Sequence, residues 1–315
     1  MSLALNQRTT KRWSVAEAVE GCVRHGLEAV GLWREEVAEQ GLAESVKLVR
    51  DAGLRVSSLC RGGFLTTPGD PASGTAGRVP SGAAGRVPSG AAGSARQAAL
   101  DDNRRAIDEA AELGAACLVM VVGGLPGVRP GEPLPGEPDA EGRAPLFSRD
   151  LAGAREQVAE ALEVLAPYAG ERGVKLALEP LHPMYCADRA VLSTLAQAVD
   201  LCLPYPEEQV GVVVDTFHVW WDPRLFEEIA RAGRRIASYQ VCDFLQPLPA
   251  DVLLGRGMMG DGVIDFPPIT RAVAEAGYTG DVEVEIFNAD IWAADPDEVV
   301  ATMKRRYAQV VTGAP

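Results

Sequence analysis

A run of apolar residues, Gly211-Val-Val-Val, leads straight into Asp215, and His218 follows three residues later. A continuous β-branched run of this kind reads as a strand buried on both faces, with the acid and the histidine where the strand gives way to its loop. An unpaired carboxylate is costly to bury, so Asp215 either caps the next helix or faces a site. The same arrangement recurs. Glu179 ends an apolar stretch and His182 follows it; Gln240 sits in another such stretch, with Asp243 just beyond; Glu285 lies in DVEVEIF near the end of the chain. Three acids and one amide at the ends of consecutive strands would repel one another unless a cation compensates them. All-oxygen donors point to a hard or borderline divalent ion, Mg2+ or Mn2+, whereas Zn2+ would recruit more His or Cys. His182 and His218 are either loop residues or pocket residues, and His25, at the end of the first helix, has no catalytic role.

The elements that must position these residues alternate from end to end. Strand-like segments are expected at 3–7, 29–33, 55–59, 117–122, 174–178, 210–214, 235–241 and 282–286. Helices are expected at 14–24, 41–52, 98–113, 149–171, 192–203, 225–232, 269–276 and 296–309. Eight strands, each followed by a helix, predict an α/β fold of the (β/α)8 TIM barrel type, in one domain spanning 1–315. A doubly wound sheet would place a glycine-rich phosphate turn after the first strand, and NQRTTKRWS is not one. In a barrel the strand ends above form one catalytic face. Within the last strand Val282, Val284 and Ile286 alternate with Glu283 and Glu285, which puts both acids on the interior-facing set.

Two stretches interrupt the pattern. Residues 67–95 are Gly, Pro, Ser and Ala, with GRVPSGAA twice in tandem from 77 and 85. This reads as a low-complexity loop insertion. Residues 123–145 form a second Gly/Pro-rich loop, long enough to be functional or a lid. GRGMMGDG at 255–262 is either a flexible connection or a loop whose amides approach a substrate oxygen. Trp220, Trp221 and Trp292 either wall a pocket or pack in the core.

Composition bounds the partners. Acids outnumber bases 44 to 30, a formal charge of -14, which argues against nucleic acid and against an anionic membrane surface. The six cysteines include no CxxC pair and suit buried free thiols of a reducing compartment. No signal peptide or membrane span is read, so the expectation is a cytoplasmic protein whose partner is a small molecule. A homo-oligomer is compatible with this composition.

LALEPLHPMY, VVVDTFHVWWDP, YQVCDF, GRGMMGDGVIDF and the terminal VEVEIF resemble the sugar phosphate isomerase/epimerase superfamily of xylose isomerase-like TIM barrels. That superfamily includes ketose 3-epimerases, hydroxypyruvate isomerases, inosose dehydratases and the endonuclease IV type of repair enzyme. The resemblance covers nearly all of the chain outside the two Gly/Pro-rich loops. It implies Glu179, Asp215, Gln240 and Glu285 as metal ligands, with Glu179 and Glu285 also the paired acid/base carboxylates. It implies His218 and Arg256 as substrate contacts, and His182 and Asp243 stand beside them as candidates. Many epimerases carry His at the third ligand position, and Gln240 matches the hydroxypyruvate isomerases instead. Three histidines and an acidic chain do not suit the endonuclease branch. The implied activity is a metal-dependent isomerase or epimerase acting on a small sugar, sugar phosphate, polyol or keto acid through an enediolate. A dehydratase-type lyase and a non-catalytic sugar-binding barrel are the alternatives.

Overall fold

A computed structural model describes residues 1–66, 89–128 and 147–312. Eight parallel strands close into a barrel: β1 (Leu3–Asn6), β2 (Ala29–Trp33), β3 (Arg55–Gly63), β4 (Leu118–Val121), β5 (Leu176–Leu178), β6 (Val210–Asp215), β7 (Ile236–Val241) and β8 (Val282–Val284). Each strand pairs with its sequence neighbour, and β8 closes on β1 with Leu3 opposite Val282. Neighbouring parallel strands need crossovers, and helices supply them.

The strands read as unbroken apolar runs because both faces are covered. Every residue of β2 and of β6 is buried. One alternating set, Trp33, Cys60, Cys117, Val119, Ala177 and Val213, fills the barrel interior as its own cluster. The other set joins the helix layer in the main core. The interior has little spare volume: a Cβ on Gly31 would lie 2.5 Å from Glu283 Oε1, so glycine in β2 leaves room for a carboxylate from β8.

Local signals start and stop the helices. Ser14 and Glu17 form a reciprocal capping box before Val15–Arg24, satisfying two otherwise orphaned donors. Asp295 caps Pro296–Arg306, which carries proline in its first turn and Lys304, Arg305 and Arg306 in its last, in keeping with the helix dipole.

Three departures from the expected pattern affect the site. β3 runs on to Gly63 beyond the expected end at Leu59. The helix expected from Ala98 begins at Ser89, within the stretch read as an insertion; residues 67–88 of that stretch, and 129–146 of the second Gly/Pro-rich loop, lie outside the described residues. Asp243–Phe244 and Arg256–Gly257 form a short antiparallel pair outside the barrel, which turns the loop after β7 back over the barrel mouth. No described helix is long and apolar enough to cross a membrane.

Candidate metal and substrate site at the barrel mouth

Four consecutive strands deliver the candidate ligands. Glu179 directly follows β5, Asp215 ends β6, Gln240 lies in β7 and Glu285 directly follows β8. Asp215 is in register with Gln240, and Gln240 with Glu283. All four candidates are buried, none more than 5% exposed. Both readings of Asp215 are realised at once. Its Oδ1 accepts from the Phe217 amide at 2.8 Å, capping the short helix Thr216–Val219, while Oδ2 turns toward the site.

The structure brings Arg256 into the middle of these acids. Its Nη1 donates to Asp215 Oδ2 at 2.7 Å and lies 3.2 Å from Glu285 Oε2. The guanidinium stands near the rings of Phe217 and Phe287, at 4.8 and 5.3 Å from their centroids. His218 packs on the same group, with Nε2 2.9 Å from Arg256 Nη2, 3.9 Å from Glu179 Oε1 and 3.8 Å from Asp215 Oδ2. Glu179, Asp215 and His218 thus present ligand atoms within 4.8 Å of one another.

His218 cannot use all of these contacts together. Its Nδ1 accepts from the His182 amide at 3.1 Å, and a neutral ring has one donor and one acceptor nitrogen. With Nδ1 accepting, Nε2 carries the proton and points it at the carboxylates or at substrate, and the approach of Arg256 is then donor to donor. Burial, reinforced by the Arg256 charge, holds the His218 pKa well below the usual histidine range. The ring is therefore neutral at physiological pH.

The carboxyls move the other way. Burial, then the charges of Glu285 and Asp215, push Glu179 well above the ordinary range. Burial raises Asp215 against the opposing pull of Arg256. Glu285 is pushed up to about 7, by burial first and in spite of Arg256. Crowded buried acids of this kind favour any bound cation, whether a proton, a guanidinium or a metal ion.

The residues around Gln240 test whether a metal ion fits. Gln240 Oε1 is buried with no hydrogen-bond partner, and a buried orphan acceptor calls for an explanation. Its Nε2 lies 3.5 Å from Glu283 Oε1, at the long end of a hydrogen bond. Glu283 is itself fully buried. Its Oε1 accepts from Asn6 Nδ2 at 2.6 Å and its Oε2 from Ser57 Oγ at 2.5 Å, while Ser58 Oγ reaches both oxygens. A carboxylate below Gln240 attracts the amide nitrogen and so leaves the amide oxygen facing the acids. Asn6 extends this support, since the same Nδ2 lies 3.2 Å from Glu285 Oε1. Glu179, Asp215, Glu285 and the free oxygen of Gln240 could therefore hold a hard or borderline divalent ion. Glu283→Gln places an NH2 group among these donors. It is expected to weaken Mn2+ affinity by about 10- to 100-fold and to lower stability by about 1–3 kcal/mol. Calorimetric titration and melting measure the two, and an unchanged Mn2+ affinity would remove Glu283 from this role.

The other candidates divide. His182 is half-buried against Trp221 and Phe244, with ring centroids at 5.7 and 5.5 Å, on the same side as His218. Asp243 is held by its own segment: its Oδ1 accepts from the amides of Phe244 and Ile264, and its Oδ2 from that of Gly260. Of the GRGMMGDG loop's amides, Gly260 serves Asp243 rather than an outside oxygen, and the loop's service to the site is to carry Arg256. Trp221 and Trp292 donate their indole N–H groups to backbone carbonyls, of His218 for the first and of Arg8 and Ile286 for the second. His25 caps its helix and meets Asp297 at 2.8 Å, far from these acids in the fold. The sequence reading did not single out Asn6, Ser57, Ser58, Arg8 or Arg61, all of which line the interior or its rim.

The family model described as Xylose isomerase-like TIM barrel matches residues 19–307. The chain belongs to that family. A solved structure of protein SMc04130 from Sinorhizobium meliloti is 44% identical, with a TM-score of 0.82 and 98% of each chain covered. An inosose isomerase of Bacillus licheniformis is 27% identical over 53% of this chain and 58% of its own length. A 3-dehydroshikimate dehydratase of Pseudomonas aeruginosa is 31% identical over 46% of this chain and 23% of its own. The matched part thus spans about half or less of each of these curated relatives. Among more distant solved structures, a D-psicose 3-epimerase with D-fructose shares the family's barrel at 16% identity, with a TM-score of 0.69 over the whole of both chains.

Proposed function

We propose that this member of the xylose isomerase-like family is a metal-dependent isomerase or epimerase of a small sugar, sugar phosphate, polyol or keto acid. One observation carries the reading: three buried carboxylates and an orphaned amide oxygen stand at the ends of four consecutive barrel strands, with ligand atoms of Glu179, Asp215 and His218 within 4.8 Å of one another. Enzymes named inosose isomerase and 3-dehydroshikimate dehydratase support it by their similarity, and the second of these makes a dehydratase the alternative reading. A divalent ion held by Glu179, Asp215, Gln240 and Glu285 would supply Lewis-acid charge to a substrate oxygen. The oxygen-rich donor set favours Mn2+ or Mg2+. The IOLI protein, which shares the fold at 19% identity, was solved with a zinc atom.

The remaining work falls to the chain's own side chains. Glu179 and Glu285 lie on strands three apart in the barrel order, so they approach a bound substrate from different sides. One takes the carbon-bound proton and the other returns it. Arg256 supplies donors beside Asp215 and Glu285, and the neutral His218, its Nδ1 already accepting from the His182 amide, can donate one hydrogen bond from Nε2 without adding charge. Turnover on a panel of ketoses, inososes and polyols with added Mn2+ tests the assignment. Protein that holds no divalent ion and turns over none of them would defeat it. His218→Ala is expected to keep the fold and the bound ion but to lose most activity. Loss of the ion along with activity would make His218 a ligand in place of Gln240.

A further inference from the structure

A second set of charged groups stands on the same rim, on the far side of Trp33. Arg61 belongs to the extension of β3, and its side chain is 20% exposed. Among the described residues its guanidinium makes no hydrogen bond. The nearest acid is Glu35, 3.7 Å from Nη2, and Nε is buried without a partner. Its guanidinium lies 4.5 Å from the centroid of Phe64 and 5.8 Å from that of Trp33. Arg8, just past the end of β1, stacks over the other part of the rim at 4.1 Å from Trp33. Glu36 pairs with Arg8 at 2.8 Å, whereas Glu35 stays 3.7 Å away, and Nε of Arg8 is again buried and unpartnered. Glu35 Oε2 also has no hydrogen-bond partner.

Structural ion pairing accounts for Arg8 through Glu36. It does not account for Arg61, which makes no hydrogen bond among the described residues and whose Nε is buried without a partner there. Burial presses hardest against its charge, and Arg189 and Arg8 add to that pressure. Trp33 joins this region to the candidate active site. Its indole N–H donates to Asn6 Oδ1 at 2.9 Å, and Asn6 in turn reaches Glu285. The ring also meets Phe287 edge-on at 5.6 Å, and Phe287 flanks Arg256. Trp33 thus links the acids, through Asn6 and Phe287, to the two arginines that stand over and beside its ring.

We infer that Arg61, with Arg8, receives a carboxylate or phosphate group of the substrate, so that the molecule acted on is a sugar acid, a keto acid or a sugar phosphate rather than a neutral sugar. A stacked guanidinium fork matches the paired oxygens of either anion in a charge-assisted bidentate contact, whereas a neutral polyol hydroxyl offers only single, uncharged acceptors. The inference rests on the isomerase reading for the place of the reacting carbon and narrows its substrate class.

The test pairs charged and neutral probes on the full chain loaded with Mn2+: 3-dehydroshikimate against an inosose for the carboxylate, and fructose 6-phosphate against fructose for the phosphate. Binding is measured by calorimetry and turnover by kcat/KM. One charged member is expected to be preferred by about 10- to 100-fold, and which pair shows the preference tells carboxylate from phosphate. Arg61→Met, which keeps the stem over Phe64, should bring that ratio close to one. Arg61→Lys should keep part of it. No preference in either pair, or a preference that Arg61→Met leaves intact, overturns the inference while isomerase activity on neutral sugars stands. Arg61-dependent binding of an anion without turnover supports the inference and defeats the isomerase reading. If Arg61→Met does not fold, the ratios of the unsubstituted protein decide alone.

Discussion

Replacing Glu179 or Glu285 by glutamine is expected to leave a folded barrel that has lost turnover by on the order of 10²-fold or more. The substitution is nearly isosteric and keeps an oxygen for a cation, but the amide cannot accept a proton. It also removes a negative charge from a buried cluster in which burial raises both glutamates and the charges of Glu285 and Asp215 push Glu179 up further. Both variants should therefore melt no lower than the unsubstituted, metal-free protein. The partial reaction separates the two positions. In heavy water one variant should still exchange the substrate proton on its own side while failing to complete the interconversion. Two active variants, or an Asp215→Asn variant that alone accounts for the loss, would dismiss the two-base assignment and leave only a cation site.

Much of this site was legible because its signals are local. An apolar run fixes where a strand ends, and two-residue alternation fixes which side chains enter the barrel. Those two rules place Glu179, Asp215, Gln240 and Glu285 together without tertiary information, and they place Glu283 on the same interior face. Asp243 obeys the same rules, but at a strand end an acid can serve a ligand or its own loop, and here three backbone amides of that loop bond to its two oxygens.

What was not legible depends on partners distant in sequence. The last part of β3 reads Arg-Gly-Gly, poor strand material by propensity. It is held because Gly62 and Gly63 pair with β4 and because Asn103 bonds to both the amide and the carbonyl of Gly63. That extension carries Arg61 to the barrel mouth. Arg256 arrives on an antiparallel pair only two residues long on each side, too short for any periodicity to register. The start at Ser89 of the helix between β3 and β4 is a similar case. Its first residues, Ser-Gly-Ala-Ala-Gly, have no amphipathic pattern, and helix continues into them from a well-packed body at little further cost.

Preparing the protein free of metal should give a stability that falls as pH rises from about 5 to about 8, against the usual trend for an acidic chain. The sign follows from Glu285. Its pKa is raised from 4.5 to about 7, so between those values the folded protein holds a proton that the unfolded chain has released. Stability from that proton is complete below the unfolded value and is lost as pH climbs through the folded one. A shift of this size corresponds to roughly 3 kcal/mol at most. Glu179 and Asp215 move in the same direction, burial being the leading cause for each. Arg256 offsets only part of the crowded charge, since one guanidinium faces three carboxylates. Divalent metal should then stabilise little at pH 5, where protons already occupy the cluster, and strongly at pH 8, where they do not. Glu285→Gln should flatten the slope by removing the group that titrates inside the window. Melting curves at several pH values, with chelator and with Mn2+, measure all three effects. A metal-free protein whose melting temperature is flat or rising across this range, with no Mn2+ shift at either pH 5 or pH 8, would show that the cluster is neutralised by its own residues and has no need of an added ion.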